Sequence, residues 1–462
     1  MPLEHPDTGG MPGDAPLTVG ERRVAGQELR KRTPRSLHAT WTAPADRPDP
    51  VQSVIESGRH RIASLLPIRN DRMRQSPFGF LCGAAALMAA DLATTPVSGL
   101  RVQACGDCHH GNFVTFASAE GTPVFDVNDF DETLPAPFEW DLKRLATGLA
   151  VDARERGMAD KSARNLARTA IVAYRTHMQA LVRLSPLEVW RSRIDLIEAL
   201  AAIEDPKLRD REMRRVAIAV DASRRSYPKL LERVHGRWRI REKPPLVFPL
   251  SQQSDDTHEI AARTAFHSYR RTLEAERRVL LDRYRLADVA FKVVGVGSVG
   301  LFCAIGLFVT ADEDAMLLQI KEAQASVLEA HVGRSVYANA GERVVVGQRM
   351  MQATPDPLLG WTRDGGDQHC YVRTLRDQRL SDVGAQIAEA ALPYHVALCG
   401  RALARAHART GDPAMLAGYM GSGGVFDAAI ADFAMAYADQ TERDWRLFRE
   451  AVNEGLVEAR TP

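Results

Sequence analysis

The sequence has almost no imbalance of charge: 60 lysines and arginines face 59 aspartates and glutamates, a net +1 over 462 residues. A chain so balanced sets up no long-range field toward a polyanion, so neither nucleic acid nor an anionic membrane surface is expected as a partner. Local basic runs such as Arg209 to Arg215 are interrupted by acidic residues and read as a solvated helix face. Cysteine is scarce too. Six thiols in the whole chain, mostly in apolar surroundings, make no disulfide framework and suit a reducing cytoplasm. The opening residues lack an apolar core behind a basic cap, so no secretory leader is expected. Long apolar runs are almost absent: only Val293 to Ala311 stays free of charge over nineteen residues. It holds four glycines and many β-branched residues, which fits a glycine-turned hairpin better than a membrane helix. These absences leave a cytoplasmic protein with no membrane segment and no sign of a particular oligomeric state.

What is present starts with "CGDCHHGN", Cys105 to Asn112. As Cys-x-x-Cys-His it spells haem attachment, and with His110 it could supply zinc ligands. As Asp-x-x-x-x-Asn it spells a phosphotransfer loop, with Asp107 to receive a proton and Asn112 to hold magnesium. Haem attachment needs export and zinc needs a second Cys/His pair, and the chain offers neither. The phosphotransfer reading asks for an acidic strand end nearby, and "VFDVNDFDE" provides Asp126, Asp129 and Asp131. Asp129 is the expected metal ligand and Asp126 a second candidate.

That reading also asks for a device to hold a triphosphate. Gly295-Val-Gly-Ser-Val-Gly300 follows a strand-like run, with Gly295, Gly297, Ser298 and Gly300 placed to let backbone approach phosphate. The same spacing serves dinucleotide folds, where a helix would follow and Glu322 would bind a ribose. "LFCAIGLFVT" has no solvent face and favours a strand, hence a hairpin. "LLQIK" then supplies Lys321 as the phosphate-binding lysine, to be positioned by Glu342 or, alternatively, Glu329.

Several segments carry a family resemblance. "GDCHHGNF", "FDVNDFDE" and "FEWDLKRL" resemble the catalytic series of the aminoglycoside phosphotransferase and choline kinase group. More closely, "SPFGFLCGAAALMAADLA", "FDVNDFDETLPAPFEWDLKRLA", "VVGVGSVG", "QIKEA", "YVRTLRD" and "LARAHARTGD" are similar to the uncharacterised bacterial DUF2252 family, from about residue 60 to 455. Cys105 stands where the phosphotransferase series has histidine, and Cys82 where arginine is expected. The resemblance implies a base role for Asp107, metal binding by Asn112 and Asp129, and bracing of the loop by Asp141. It also implies an α+β, protein kinase-like two-lobed fold, circularly permuted because the glycine loop follows the catalytic loop, with a large α-helical insertion. Only "TLPAP" separates the acidic strand from the next helix, leaving no activation segment, so a small-molecule acceptor is expected.

The expected organisation is a poorly ordered arm over 1–50, a catalytic-loop half over 51–154, a helical block over 155–285 that could cover the acceptor, a β-rich nucleotide lobe over 286–378, and closing helices over 379–462. Within the second, Ser76 caps a helix reaching Ala93. The functional expectation is an ATP- and Mg²⁺-dependent kinase. The alternatives are a nucleotide-binding sensor without transfer and an NAD(P)-dependent oxidoreductase.

Overall fold

The computed structural model describes residues 16–118, 120–225, 230–250, 257–293, 295–364, 368–375 and 389–461. It combines helices with one large sheet and several two-stranded ones. In the first half, β1 (Arg101–Ala104), β2 (Phe113–Ala117), β3 (Pro123–Val127) and β4 (Leu134–Pro137) form two antiparallel pairs, β1 with β4 and β2 with β3. A small hairpin, β5 (Leu231–Val234) and β6 (Arg237–Ile240), follows much later. The large sheet contains β7 (Val247–Pro249), β8 (Arg285–Lys292), β9 (Cys303–Val309), β10 (Ala315–Glu322), β11 (Gly360–Arg363) and β12 (His369–Thr374). Its order is β11-β12-β10-β9-β8-β7, antiparallel throughout.

The pattern of β9 explains its central place. Every residue of "CAIGLFV" is buried, because the helix Thr257–Ser268 covers one face through Phe266 while Leu231 and Ile240 of the β5–β6 hairpin cover the other. A strand covered on both sides has no reason to alternate. The charge-free run from Val293 is thus the glycine-turned hairpin the sequence suggested, and no helix among the described residues is long and apolar enough to cross a membrane.

The helical body is built around Phe138–Glu155, buried along nearly its whole length, with Asp160–Leu181 and Val425–Asn453 packed against it and Leu392–Ala408 packed on Asp160–Leu181. Here the sequence reading needs three corrections. Residues 19–32 of the expected disordered arm form a helix, entered through a Thr18–Glu21 capping box. It docks on the helix Pro413–Met420 at paired glycines: a Cβ on Gly26 would lie 2.1 Å from the Met415 carbonyl, and one on Gly418 2.2 Å from that of Arg23. Contact through backbone leaves no apolar stripe in "VGERRVAGQELRKR" for periodicity to find. Second, the helix from Ser76 to Ala93 is two, Pro77–Gly83 and Ala85–Ala93, because Arg69 draws off the Gly83 carbonyl. Ser76 does cap the first, accepting from the Gly79 N–H. Third, the block at 155–285 is not all helix; it supplies β5, β6 and the sheet-edge strand β7. Residues 379–388 of the closing segment lie outside the described residues.

Three histidines of the helical body are held neutral. Burial, then nearby cations, pushes His38 and His395 down to about 3 and His177 down to about 4. Lys143 faces the first, His110 and Arg156 the second, Arg401 and Arg405 the third. An unfolded imidazole titrates near ~6.5, so on acidification the unfolded chain gains protons the folded chain cannot accept. Stability should hold above about pH 7, fall as pH drops through about 6.5, and go on falling to about pH 4. Urea midpoints measured from about pH 7.5 to 4.5 check this, and His395→Gln should flatten the slope; a flat wild-type profile would contradict it.

Candidate active site

The "CGDCHHGN" loop leaves β1 through Gly106, whose φ of +83° favours glycine. A Cβ there would also lie 2.4 Å from the Glu132 carbonyl oxygen, so no larger residue fits. Asp141, in the first turn of Phe138–Glu155, accepts from the backbone N–H of Cys105 at 2.8 Å and of Gly106 at 3.0 Å. His407 Nε2 reaches the same carboxylate at 3.1 Å, and its Nδ1 meets the Tyr174 hydroxyl at 2.9 Å. Burial alone would raise the Asp141 pKa; His407 and the two backbone N–H groups hold it below the usual range. The bracing role expected of Asp141 is therefore visible as geometry. With cysteine at 105, an imidazole comes instead from a distant helix.

The structure does not gather the loop's four zinc candidates, Cys105, Cys108, His109 and His110, into one cluster. Cys105, Cys108 and Asp141 gather within 4.8 Å of one another, but Asp141 is already occupied by its donors. Burial also raises both thiols, Cys108 to about 11 and Cys105 well above its ordinary value. The histidines turn elsewhere: His109 lies 3.8 Å from Asp107, and His110 stacks on Phe78.

Asp107 stands at the tip. Arg144 donates its Nε to Oδ1 at 2.6 Å and a second guanidinium N–H to the same oxygen. The other oxygen, Oδ2, faces Gly297, 3.9 Å from where a Cβ would be. Asn112 donates its Nδ2 to the Asp107 carbonyl at 2.8 Å, closing the loop on itself. The Asn112 carbonyl in turn accepts from the Asn128 N–H at 2.8 Å, tying the loop to the end of β3.

Past β3 the carboxylates divide. Asp129 and Asp131 line the cleft, and Asp129 Oδ1 accepts from the Asp131 N–H at 3.2 Å. Asp126, expected as a possible metal ligand, does not line it. Its carboxylate accepts from Arg405 Nη2 at 2.5 and 2.7 Å within the helical body. β3 is buried on both faces from Val124 to Val127, which leaves Asp126 inside the body, whereas Asp129 and Asp131 lie beyond the strand.

The glycine segment spans β8 and β9, which pair antiparallel, so it is a hairpin tip and leads into no helix. It comes down on the catalytic loop. Gly297 also lies against the Cys82 carbonyl, 3.5 Å from a Cβ position, and Ser298 Oγ donates to Asp131 at 3.2 Å. Gly295 has open space about it, whereas Gly300, at φ +91°, presses on Arg61. From β10, Lys321 forms an ion pair with Asp131, 190 positions earlier in the chain. Tyr371 of β12 donates to the other Asp131 oxygen at 2.8 Å. Burial would raise the Asp131 pKa, but Lys321 and Tyr371 hold it low; Asp129, buried beside that second carboxylate, is raised. Both acids keep Lys321 charged despite its burial.

Glu342 does not position Lys321. Among the described residues no hydrogen bond or ion pair joins the lysine to Glu342 or to Glu329, which accepts from the Ser326 N–H. Next to Glu342, Arg343 takes the inward position, donating to the carbonyls of Asp131, Thr133 and Gln324. The lysine's partner is a carboxylate of the acidic loop itself. Glu322 is equally engaged, accepting from the Phe302 N–H and the Gln324 amide. Sequence reasoning also passed over Arg144, although it sits one helical turn from Asp141 on the same face. It missed Lys292 and Arg373, which lie within electrostatic reach of Lys321 on the sheet side, and Arg61 and Arg69 on the helical side of the cleft.

From residue 61 to 451 the chain matches the family model of an uncharacterised protein conserved in bacteria, DUF2252. The chain belongs to that family. No curated protein and no solved structure gives a significant match.

Proposed function

We propose that this protein is an ATP- and Mg²⁺-dependent phosphotransferase acting on the hydroxyl of a small molecule, in a circularly permuted kinase-like two-lobed fold. The observation that carries the reading is the meeting of Lys321 with Asp131 beneath a glycine hairpin that abuts Asp107. Two halves of the chain, in reversed order, build one cleft. Lys321, Lys292 and Arg373 supply cations for a triphosphate, and the hairpin backbone would cover it. The donor set suits magnesium. Asp129 has one carboxylate oxygen on a backbone N–H and is disposed by burial to seek a cation, while Asn112, which commits its amide N–H to the loop and does not itself line the cleft, would have only its Oδ1 to offer. The ion would gather phosphate oxygens and offset their charge. In the transfer the acceptor oxygen bonds to the γ-phosphorus and the bond from that phosphorus to the β,γ-bridging oxygen breaks. ADP leaves and the hydroxyl proton passes to Asp107 Oδ2.

Arg144, bound to the other Asp107 oxygen, favours a second reading, a nucleotide-binding sensor without transfer, since the carboxylate already has a structural partner. The dinucleotide reading finds less support, because the glycines lead into a strand and Glu322 is occupied.

Thermal unfolding with and without Mg·ATP tests the proposal. At 100 times its Kd a ligand adds about 2.7 kcal/mol. Lys321→Ala and Asp129→Ala should each abolish the shift; if Mg·ATP shifts the wild type and both variants alike, the nucleotide is bound elsewhere and the reading fails.

A further inference from the structure

Arg69 is among the largest fully buried side chains, 1% exposed, in the helix Leu66–Gln75. Its Nη2 donates to the Gly83 carbonyl at 2.7 Å and to Ser57 Oγ at 3.0 Å. Its Nε and Nη1 have no partner. No carboxylate relieves the charge: among the described residues neither Arg69 nor Arg61 makes an ion pair, and the charged neighbour acting on Arg69 is Arg61 itself. Burial, then that second guanidinium, pushes Arg69 down to about 9. A buried, unpaired guanidinium beside another cation is costly, and proteins seldom keep one without an anion to meet it.

Both arginines line the cleft that also holds Asp107, Asp129, Gly297 and Ser298. Arg61 is fixed by donating to the Val299 carbonyl of the glycine hairpin at 2.7 Å and to the Ser57 carbonyl at 3.1 Å. Of the carboxylates in the same cleft, Glu132 and Asp131 act on Arg61, but none acts on Arg69, and Arg144 occupies Asp107 while Lys321 occupies Asp131. The cavity is about 60 Å³, room for a few waters or one small oxyanion. It lies on the helical side of the hairpin tip, whereas Lys321, Lys292 and Arg373 approach from the sheet.

We infer that Arg61 and Arg69 form an oxyanion subsite for the acceptor, which therefore carries a phosphate or carboxylate group in addition to the hydroxyl presented to Asp107. The inference rests on the phosphotransferase reading for the word acceptor, but the anion site can be tested without it. Planar guanidinium N–H groups with two free donors suit the paired oxygens of such a group.

Inorganic phosphate, glycerol 3-phosphate, citrate and glycerol are the probes, titrated calorimetrically without nucleotide into wild type, Arg69→Met, Arg61→Gln and Lys292→Gln. Phosphate and glycerol 3-phosphate should bind, glycerol should not, and citrate binding would extend the class to carboxylates. Arg69→Met and Arg61→Gln should each weaken the anion at least tenfold, while Lys292→Gln, on the sheet side and leaving the Lys321–Asp131 pair intact, changes it less than twofold. Arg61 is only half-buried, so its variant keeps the test readable should Arg69→Met fail to fold. Anion binding lost in Lys292→Gln but kept in the arginine variants would place the anion at the triphosphate position and overturn the inference. So would failure of every anion to bind. Anion binding with this arginine dependence, in a protein that Mg·ATP does not stabilise, would sustain the subsite and sink the kinase reading instead.

Discussion

Asp107→Asn should lower the release of ADP from Mg·ATP, with water or any hydroxyl compound as acceptor, by about 10²–10⁴-fold. The Mg·ATP-induced thermal shift should survive. The asparagine keeps the shape of the side chain and its oxygen can still accept from Arg144 Nε, so the loop held by Asp141 and Asn112 has no reason to move. What is lost is the carboxylate proposed to take the acceptor's proton. Arg144 sharpens the test. Its guanidinium lies on Oδ1 in the structure, so the proton must go to Oδ2, the oxygen facing Gly297. Arg144→Met would therefore separate the two readings: a gain in turnover means the arginine restrains an active base, and none means Asp107 only positions. Equal turnover in wild type and Asp107→Asn would remove Asp107 from the chemistry.

The second large effect concerns stability. Arg405→Leu should destabilise the protein by about 3–5 kcal/mol, because it strands the buried Asp126 carboxylate in the helical body. The guanidinium is 1% and the carboxylate 6% exposed at the side chain, so water cannot substitute for the lost partner. The double change Asp126→Leu with Arg405→Leu should recover most of the loss, since an apolar pair of similar volume needs no charge partner. Urea unfolding of the single and double variants beside the wild type measures both effects. A double variant as unstable as Arg405→Leu alone would mean that Asp126 serves β3 through its other contacts, among them the Val127 N–H, more than through the ion pair.

Much of the site was legible because its parts are local. Asp107 and Asn112 lie within one loop, Asp129 and Asp131 within three residues, and each motif announces its chemistry through spacing alone. The hairpin at Gly295 to Gly300 was legible for a different reason: a β9 covered on both faces must be uniformly apolar. What could not be read were pairings chosen by the fold. Nothing near Lys321 in sequence says that Asp131 will meet it rather than Glu342, because helix rotation decides whether Glu342 or Arg343 faces inward. Asp126 and Asp129 look alike in "FDVNDFDE", and only the end of β3 between them sends one to the core and the other to the cleft. The helix at 19–32 was hidden by the very contact that docks it, a crossing of glycine backbones with no apolar signature. Arg69 reads as one more basic residue in "LPIRNDRMRQ", and its isolation emerges only once its neighbours are known.

The separation of Asp131 from Lys321 by 190 positions also governs how the protein comes into being. At roughly 5–20 residues per second, a ribosome exposes the acidic loop on the order of 10–40 s before the strand that carries its lysine. During that interval the nascent chain holds two adjacent, uncompensated carboxylates and no glycine hairpin above them. On the proposed function, translation order would thus deliver the proton acceptor first and the lysine last, leaving a partly made chain no means of holding the nucleotide it would need to react.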